Sequence, residues 1–151
     1  EENNISQIAE LLIKHNLEVL IVSNTTDRNR ENLKNINKLE KGGLSGKPLE
    51  IKSNLLINKF YKILKNKIKI IGVGGVDTGT GVYEKFINGA SLVQLYTGMV
   101  YRGPNIVSKI SSELIHILNH KGVKNISEII GTKNWSWLIT LERLYKHNFY
   151  V

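Results

Sequence analysis

The sequence predicts an α/β fold with a parallel sheet, and three observations support this prediction. Short apolar runs typical of strands alternate with longer amphipathic stretches typical of helices. The central unit, residues 68–103, has apolar runs at 68–73 and 91–96 with a helical pattern between them. Each run ends at a glycine turn, which favours two buried parallel strands joined in a βαβ unit.

The remaining elements follow from the same patterns. Helices are predicted at residues 1–16, 54–65, around 82–87 and at 104–120, strands at 17–23, 68–73 and 91–96, and a polar surface loop at 27–41. Ser127 is expected to cap a short helix that ends before Gly131. Three parallel strands leave their sheet edges open, and a whole (β/α)₈ barrel takes about 250 residues. The chain is therefore predicted to be an incomplete barrel of about three βα units.

Composition narrows the classes of function. The 151 residues include no cysteine, so no disulfide and no cysteine-based metal site is expected. No apolar stretch approaches the roughly 20 residues that span a bilayer. The net charge is +8, but the lysines are scattered and no recognition motif accompanies them, so no nucleic-acid partner is expected. The first residue is Glu1 rather than Met, so we expect an upstream part to be missing.

Polar and glycine-rich segments follow the predicted strands. Asn24, Thr25 and Thr26 come directly after the first strand, and a glycine-rich loop follows at 42–48. In a barrel, the loops after the last two strands commonly bind phosphate, and glycines let backbone N–H groups approach an anion. The chemistry is therefore expected at the turns that begin at Gly74 and Thr97. For Asn24 and Thr25, the residue types alone favour capping of a turn.

No catalytic constellation is complete in this stretch. The histidines stand on predicted helices or near their ends without a partner at metal-ligand spacing, and we expect them on the surface: His15, His116, His120 and His147. Glu84 and Glu113 are expected to be solvated on helix faces. The aromatic segment 132–151 is predicted to pack as a helix on the barrel or on a partner, with binding to a membrane surface as an alternative.

Five segments resemble the membrane-associated, quinone-dependent (class 2) dihydroorotate dehydrogenases. They are SNTT at 23–26, GGLSGKPL at 42–49, IIGVGGV at 70–76, EKFINGASLVQLYTGMVYRGP at 84–104 and EIIG at 128–131. Their order and spacing fit the C-terminal part of that family. The resemblance implies that residues 1–131 are the C-terminal part of an FMN-binding (β/α)₈ TIM barrel. Residues 132–151 depart from the family and form a divergent aromatic C-terminal tail.

The resemblance also implies roles for ten residues. Asn24 and Thr25 would bind the substrate, whereas Ser23 would lie beside the flavin and Ser45 and Gly46 would approach it. The phosphate and ribityl chain of FMN would be held by backbone amides and one hydroxyl, from Gly74, Gly75, Leu95, Tyr96 and Thr97. No metal ligand and no catalytic residue is implied within this stretch, because the family's serine base lies on an earlier loop.

The activity implied is FMN-dependent oxidation of dihydroorotate to orotate in de novo pyrimidine (UMP) biosynthesis, with a quinone as electron acceptor. The family associates peripherally with a bacterial inner membrane, on its cytoplasmic side, or with the mitochondrial inner membrane, through N-terminal helices that this chain lacks. We therefore expect the chain to be inactive alone. The open alternatives are another phosphate-binding barrel oxidoreductase and a non-catalytic interaction or assembly module derived from such a barrel.

Overall fold

A computed structural model describes residues 2–28, 30–31 and 33–134. The helices are α1 (Glu2–Lys14), α2 (Glu50–Leu64), α3 (Gly79–Asn88), α4 (Thr97–Arg102) and α5 (Ile106–His120), and the strands are β1 (Val19–Val22), β2 (Lys69–Val73) and β3 (Leu92–Gln94). Short 3₁₀ turns occupy Ile36–Leu39, Lys47–Leu49, Ile126–Glu128 and Thr132–Asn134. The strands pair in parallel in the order β1-β2-β3, which confirms the predicted α/β class.

The helices cover only one face of this sheet. On the covered face, Val22 and Ile70 are 3% and 1% exposed. On the opposite face, Ile21, Ile71 and Leu92 pair in register across all three strands, and Ile21 and Leu92 are 55% and 62% exposed. The prediction of strands buried on both faces is therefore wrong for the described residues, because no described element covers the second face.

Two apolar clusters hold the helices to the sheet. In the first, Ala9 of α1 and Ile57 and Leu64 of α2, all fully buried, pack against β1 and β2. The second lies between α3 and α5, where Phe86 and Leu114 are buried. Burial of this kind stabilises a fold by about 25 cal/mol for each Å² of apolar surface removed from water. The clusters place the carboxyl ends of the strands along one edge.

The ends of several elements differ from the predictions. Helix α2 begins at Glu50, four residues before the predicted start, because the 3₁₀ turn Lys47–Leu49 leads directly into it. The predicted turn at Thr97 opens the short helix α4. Asn125, and not Ser127, caps the turn near residue 127, since its side chain accepts the Ser127 N–H at 2.9 Å.

The apolar stripe predicted for α1 is only partly buried. Ile5 and Leu12 pack against the first cluster, but Ile8 and Leu11 are 44% and 55% exposed. The helix instead centres its buried face on Ala9, whose small side chain allows close approach to the cluster.

Two acidic residues on helices make specific polar contacts that the sequence analysis did not predict. The Glu113 carboxylate accepts the N–H of Gly79 at 2.7 Å, and Glu84 forms an ion pair with Lys133 at 3.1 Å. The expectation that both are simply solvated is therefore wrong. His15, His116 and His120 are exposed, as predicted. The predictions for His147 and for the helix within the tail concern residues 135–151, which lie outside the described residues.

Candidate functional site

A cavity of about 170 Å³ lies at the carboxyl ends of the three strands. All ten residues singled out from the sequence line it: Ser23, Asn24, Thr25, Ser45, Gly46, Gly74, Gly75, Leu95, Tyr96 and Thr97. They come from four separate segments of the chain, and the parallel sheet brings them together. Among the described residues that line this cavity, none carries a charge.

The end of β1 is tied to the glycine-rich loop. Thr26 and Leu44 form an antiparallel bridge, with N–H to carbonyl distances of 3.2 and 2.7 Å. Gly43 packs directly on Thr25, since a Cβ at Gly43 would lie 2.0 Å from the Thr25 Oγ1. Asn24 and Thr25 therefore stand at a fixed position against this loop.

The same loop is tied to the start of α4. The Thr97 hydroxyl donates to the Ser45 Oγ at 3.0 Å. Gly46 has φ +79°, and a Cβ there would lie 2.9 Å from the Thr97 Cγ2. Only glycine accepts this backbone conformation and this close approach without strain.

The turn after β2 presents backbone donors to the cavity. Gly74 and Gly75 have φ of +114° and +77°, and a Cβ at Gly75 would lie 2.5 Å from the Glu50 Cβ. Their N–H groups donate to no backbone group among the described residues, although Gly75 is buried. Buried N–H groups are nearly always paired in proteins, so this turn is suited to an anionic ligand.

The remaining predicted residues differ in how they meet the cavity. The Asn24 Oδ1 accepts the Thr25 N–H at 2.8 Å, so Asn24 also makes the local turn contact that its residue type favours. The Leu95 side chain packs on the second apolar cluster, and Tyr96 is 78% exposed. Leu95 consequently offers the cavity its backbone more than its side chain.

An ionic cluster that the sequence analysis missed lies beside the cavity. The Lys47 ammonium is 2.9 Å from the Glu50 carboxylate and 3.0 Å from Asp77, and Arg102 is 3.5 Å from Asp77. The hydrogen bond to Glu50 raises the pKa of Lys47. Two sequence positions were the available signal: Lys47 lies inside the glycine-rich loop, and Asp77 comes two residues after Gly75.

Lys47, Asp77 and Arg102 of this cluster line a second, adjoining cavity of about 610 Å³. The two cavities share six lining residues, namely Ser45, Gly46, Gly75, Val76, Thr97 and Gly98.

Lys85 is a second residue that the sequence analysis missed. It is fully buried on α3, and its Nζ donates to the Ser53 Oγ and the Asn54 Oδ1, both at 3.0 Å. Burial lowers the pKa of Lys85 to about 8. Its place three residues after Val82, on the same helix face, was the signal that this lysine points inward.

Within the described residues, no helix has the length and apolarity needed to cross a membrane. The same residues contain no group of three or more side chains suited to a metal ion.

The fold and the site together define part of an α/β barrel with a ligand cavity at the carboxyl edge of its sheet. A family model described as dihydroorotate dehydrogenase matches residues 1–118. The chain therefore belongs to the dihydroorotate dehydrogenase family, as the sequence segments indicated.

Curated relatives agree with this assignment. The dihydroorotate dehydrogenase (quinone) of Deinococcus radiodurans is 40% identical over 112 residues, which are 74% of this chain and 30% of the relative. The protein of the same name from Yersinia pseudotuberculosis is 40% identical over 114 residues, 75% of this chain and 34% of that relative. The chain thus spans about a third of the length of these relatives.

Solved structures share the fold. The structure of the Eimeria tenella enzyme in complex with ferulenol matches with a TM-score of 0.86 and 37% identity, covering 89% of this chain and 36% of that one. The ligand-free structure from the same organism matches with a TM-score of 0.85 and 38% identity, covering 88% and 37%. The prediction of a partial α/β barrel is confirmed.

Proposed function

We propose that this chain is the FMN-binding part of a quinone-dependent dihydroorotate dehydrogenase, and that the whole protein oxidises dihydroorotate to orotate in pyrimidine biosynthesis. One observation carries the proposal. Four segments that are distant in the sequence converge on one uncharged cavity, and the glycine turn on its wall has N–H groups that donate to no backbone carbonyl of the described residues. Such a cavity suits a ligand with a flat neutral ring system and an anionic end.

The residues present fit a phosphate monoester at one end of this cavity. The N–H groups of Gly74 and Gly75, with the hydroxyl of Thr97, would hold the FMN phosphate and the ribityl chain together with the backbone of Leu95 and Tyr96. Ligand pockets commonly measure about 300–1,000 Å³, so a cavity of about 170 Å³ holds only part of the cofactor. When bound, the flavin supplies the redox chemistry as acceptor of a hydride.

The polar residues at the other end would orient the substrate. Asn24 and Thr25 offer an amide and a hydroxyl to the ring or carboxylate of dihydroorotate, while Ser23, Ser45 and Gly46 border the flavin. Among the described residues that line the cavity, Ser23 and Ser45 carry hydroxyls, but no histidine, carboxylate or lysine stands beside them to accept their protons. We therefore propose that the catalytic base belongs to another part of the protein and that this chain alone does not turn over.

The proposal also covers the electron acceptor and the location of the whole protein. Relatives of this chain carry the name dihydroorotate dehydrogenase (quinone). We assign the electron acceptor to the quinone pool and the location to the surface of a bacterial or mitochondrial inner membrane. The elements that dock there would be N-terminal helices outside this stretch.

The barrel part is proposed to extend to residue 131. The family match ends at residue 118, but Ile129 is still buried in the second apolar cluster. The N–H of Gly131 also donates to the Phe86 carbonyl at 2.9 Å. Residues 132–151 are then a separate tail with its own composition.

The experiment is a visible absorption spectrum of the purified 151-residue chain after incubation with FMN and removal of free ligand. A retained flavin band is the expected result, because the proposed phosphate donors Gly74, Gly75 and Thr97 lie in this chain. Dihydroorotate should not bleach that band. A chain that melts cooperatively and retains no flavin would contradict the proposal and favour an interaction or assembly module.

Bleaching by dihydroorotate would support flavin binding but overturn the assignment of the base to another part of the protein. The matched control is the Gly75→Val variant, in which a branched side chain enters the space taken by Glu50. This variant should lose the flavin band.

A further inference from the structure

The buried Lys85 has no carboxylate partner among the described residues, and this is unusual for a buried charge. Its ammonium contacts two neutral oxygens, those of Ser53 and Asn54, both at 3.0 Å. Glu50 favours its charge only from a distance. An unpaired ammonium in a protein interior is costly, so an anion bound close by would compensate it.

The contacts of Ser53 lead from this lysine to the glycine turn. The Ser53 hydroxyl donates to the Val73 carbonyl at 2.6 Å, and Val73 is the last residue before Gly74. The same carbonyl accepts the Ser23 N–H at 3.3 Å. A Cβ added at Gly74 would lie 3.6 Å from the Ser53 Oγ, which places Ser53 next to the turn.

We propose that Lys85 is a positioning residue for the anionic group of the cofactor: it fixes the Gly74–Gly75 turn through Ser53, and its charge acts directly through space to make that turn prefer a phosphate monoester over an uncharged ligand. This role rests on the proposed function. The charge lies one side chain behind the donors, in an interior of low dielectric, where it acts on a dianion more strongly than a surface charge would.

The neighbouring charged groups do not reproduce this behaviour. Burial lowers the pKa of Lys85 to about 8, whereas the hydrogen bond to Glu50 raises the pKa of Lys47, which therefore stays protonated in the same range. Burial raises the pKa of Tyr61, which stays neutral. Glu84, on the same helix as Lys85, is paired with Lys133.

The test compares the affinity of the 151-residue chain for FMN and for riboflavin, which lacks the phosphate, by flavin fluorescence between about pH 7 and about pH 9. In the wild type, the preference for FMN should fall on the order of tenfold as Lys85 loses its proton. In Lys85→Met, the preference should be low and independent of pH.

The Ser53→Ala variant is the matched second variant, because it removes the connecting hydroxyl but keeps the charge. It should weaken FMN binding at neutral pH and keep the pH dependence. A residue that merely supports the fold would lower both affinities equally and leave the pH profile unchanged. That result in a cooperatively folded Lys85→Met variant would overturn the inference.

The outcomes for the wild type separate the two proposals. If the wild type binds FMN with a preference over riboflavin that does not change with pH, the proposed role of Lys85 is wrong, but the proposed function stands. This conclusion needs only the wild type, so it holds even if Lys85→Met fails to fold. Binding of neither flavin would overturn the proposed function and, with it, this role.

Discussion

Gly46 shows how one residue can determine both the backbone and the cavity. Its φ of +79° is strained for any other residue, and a Cβ would lie 2.9 Å from Thr97. We predict that Gly46→Ala lowers the free energy of unfolding by about 1–3 kcal/mol and weakens FMN binding. Urea unfolding and flavin titration measure the two effects.

Gly122→Ala is the control for this prediction. Gly122 has a similar φ of +68°, but a Cβ there would meet nothing within 4 Å. It should therefore show the backbone cost alone, about 1 kcal/mol, with unchanged flavin affinity. Equal flavin affinity in both variants would argue against contact between the glycine loop and the ligand.

Lys85 should also give stability an unusual dependence on pH. In the unfolded chain its pKa returns to 10.5, but in the folded chain burial lowers it to about 8. Between these values the unfolded state binds more protons, so the free energy of unfolding must rise with pH. We predict a rise of up to about 1.4 kcal/mol per pH unit, relative to Lys85→Met.

Chemical unfolding of both proteins from about pH 7 to about pH 9.5 measures this difference. Below about pH 8 the difference should be constant, because the lysine is protonated in both states. Tyr61 does not interfere, since its raised pKa acts with the opposite sign and only above about pH 10. A flat difference across the whole range would show that Lys85 is better solvated than its burial indicates.

At the scale of elements, Glu113 joins two helices. It lies on α5, and its carboxylate accepts the N–H of Gly79, the first residue of α3, at 2.7 Å. A negative charge at a helix N-terminus interacts favourably with the unpaired N–H groups there. We predict that Glu113→Gln costs about 1 kcal/mol, because the amide keeps the acceptor but loses the charge.

Glu10→Gln is the matched control, since Glu10 is exposed on α1 away from any helix N-terminus. Denaturant midpoints of both variants should differ from the wild type by clearly unequal amounts. If both variants shift the midpoint equally, the charge at Glu113 contributes no more than a surface carboxylate.

Element type was predictable from the sequence, whereas element ends depended on tertiary contacts. Within the described part of the chain, apolar runs and periodic patterns located all three strands and four of the five helices. The start of α2 was not predicted correctly, because it depends on a 3₁₀ turn that contains Pro48. The helix that begins at Thr97 was not predicted, because its second residue is Gly98 and glycine is typical of a turn.

The residues that line the candidate site could be located from the sequence, whereas the residues that pack and hydrogen-bond behind them could not. Its ten residues lie in segments that the family resemblance identified, and the parallel sheet brings them to one edge. Lys85, Ser53 and Asp77 could not be assigned from their residue types, because lysine, serine and aspartate are usually solvated on surfaces. Their importance arises from burial and from partners about 30 residues away along the chain.

At the scale of the whole molecule, the described elements cover one face of the sheet and leave the other face open. The open face carries the row Ile21, Ile71 and Leu92 across the three strands, and the helices pack on the other side. Exposed apolar patches of this kind favour association between molecules. The 151-residue chain should therefore self-associate and bind a hydrophobic dye.

We predict that the double variant Ile21→Thr/Leu92→Thr reduces self-association by about tenfold or more and leaves the melting temperature nearly unchanged, because both side chains are mostly exposed. Threonine is β-branched, and strands favour this shape. The control is Ile70→Thr on the covered face, where the side chain is 1% exposed. That variant should lose about 2–4 kcal/mol of stability, because it leaves both a cavity and a buried hydroxyl. Sedimentation velocity measures self-association, and thermal melts measure stability. A wild-type chain that stays monomeric and does not bind the dye would show that this face is covered by other parts of the chain.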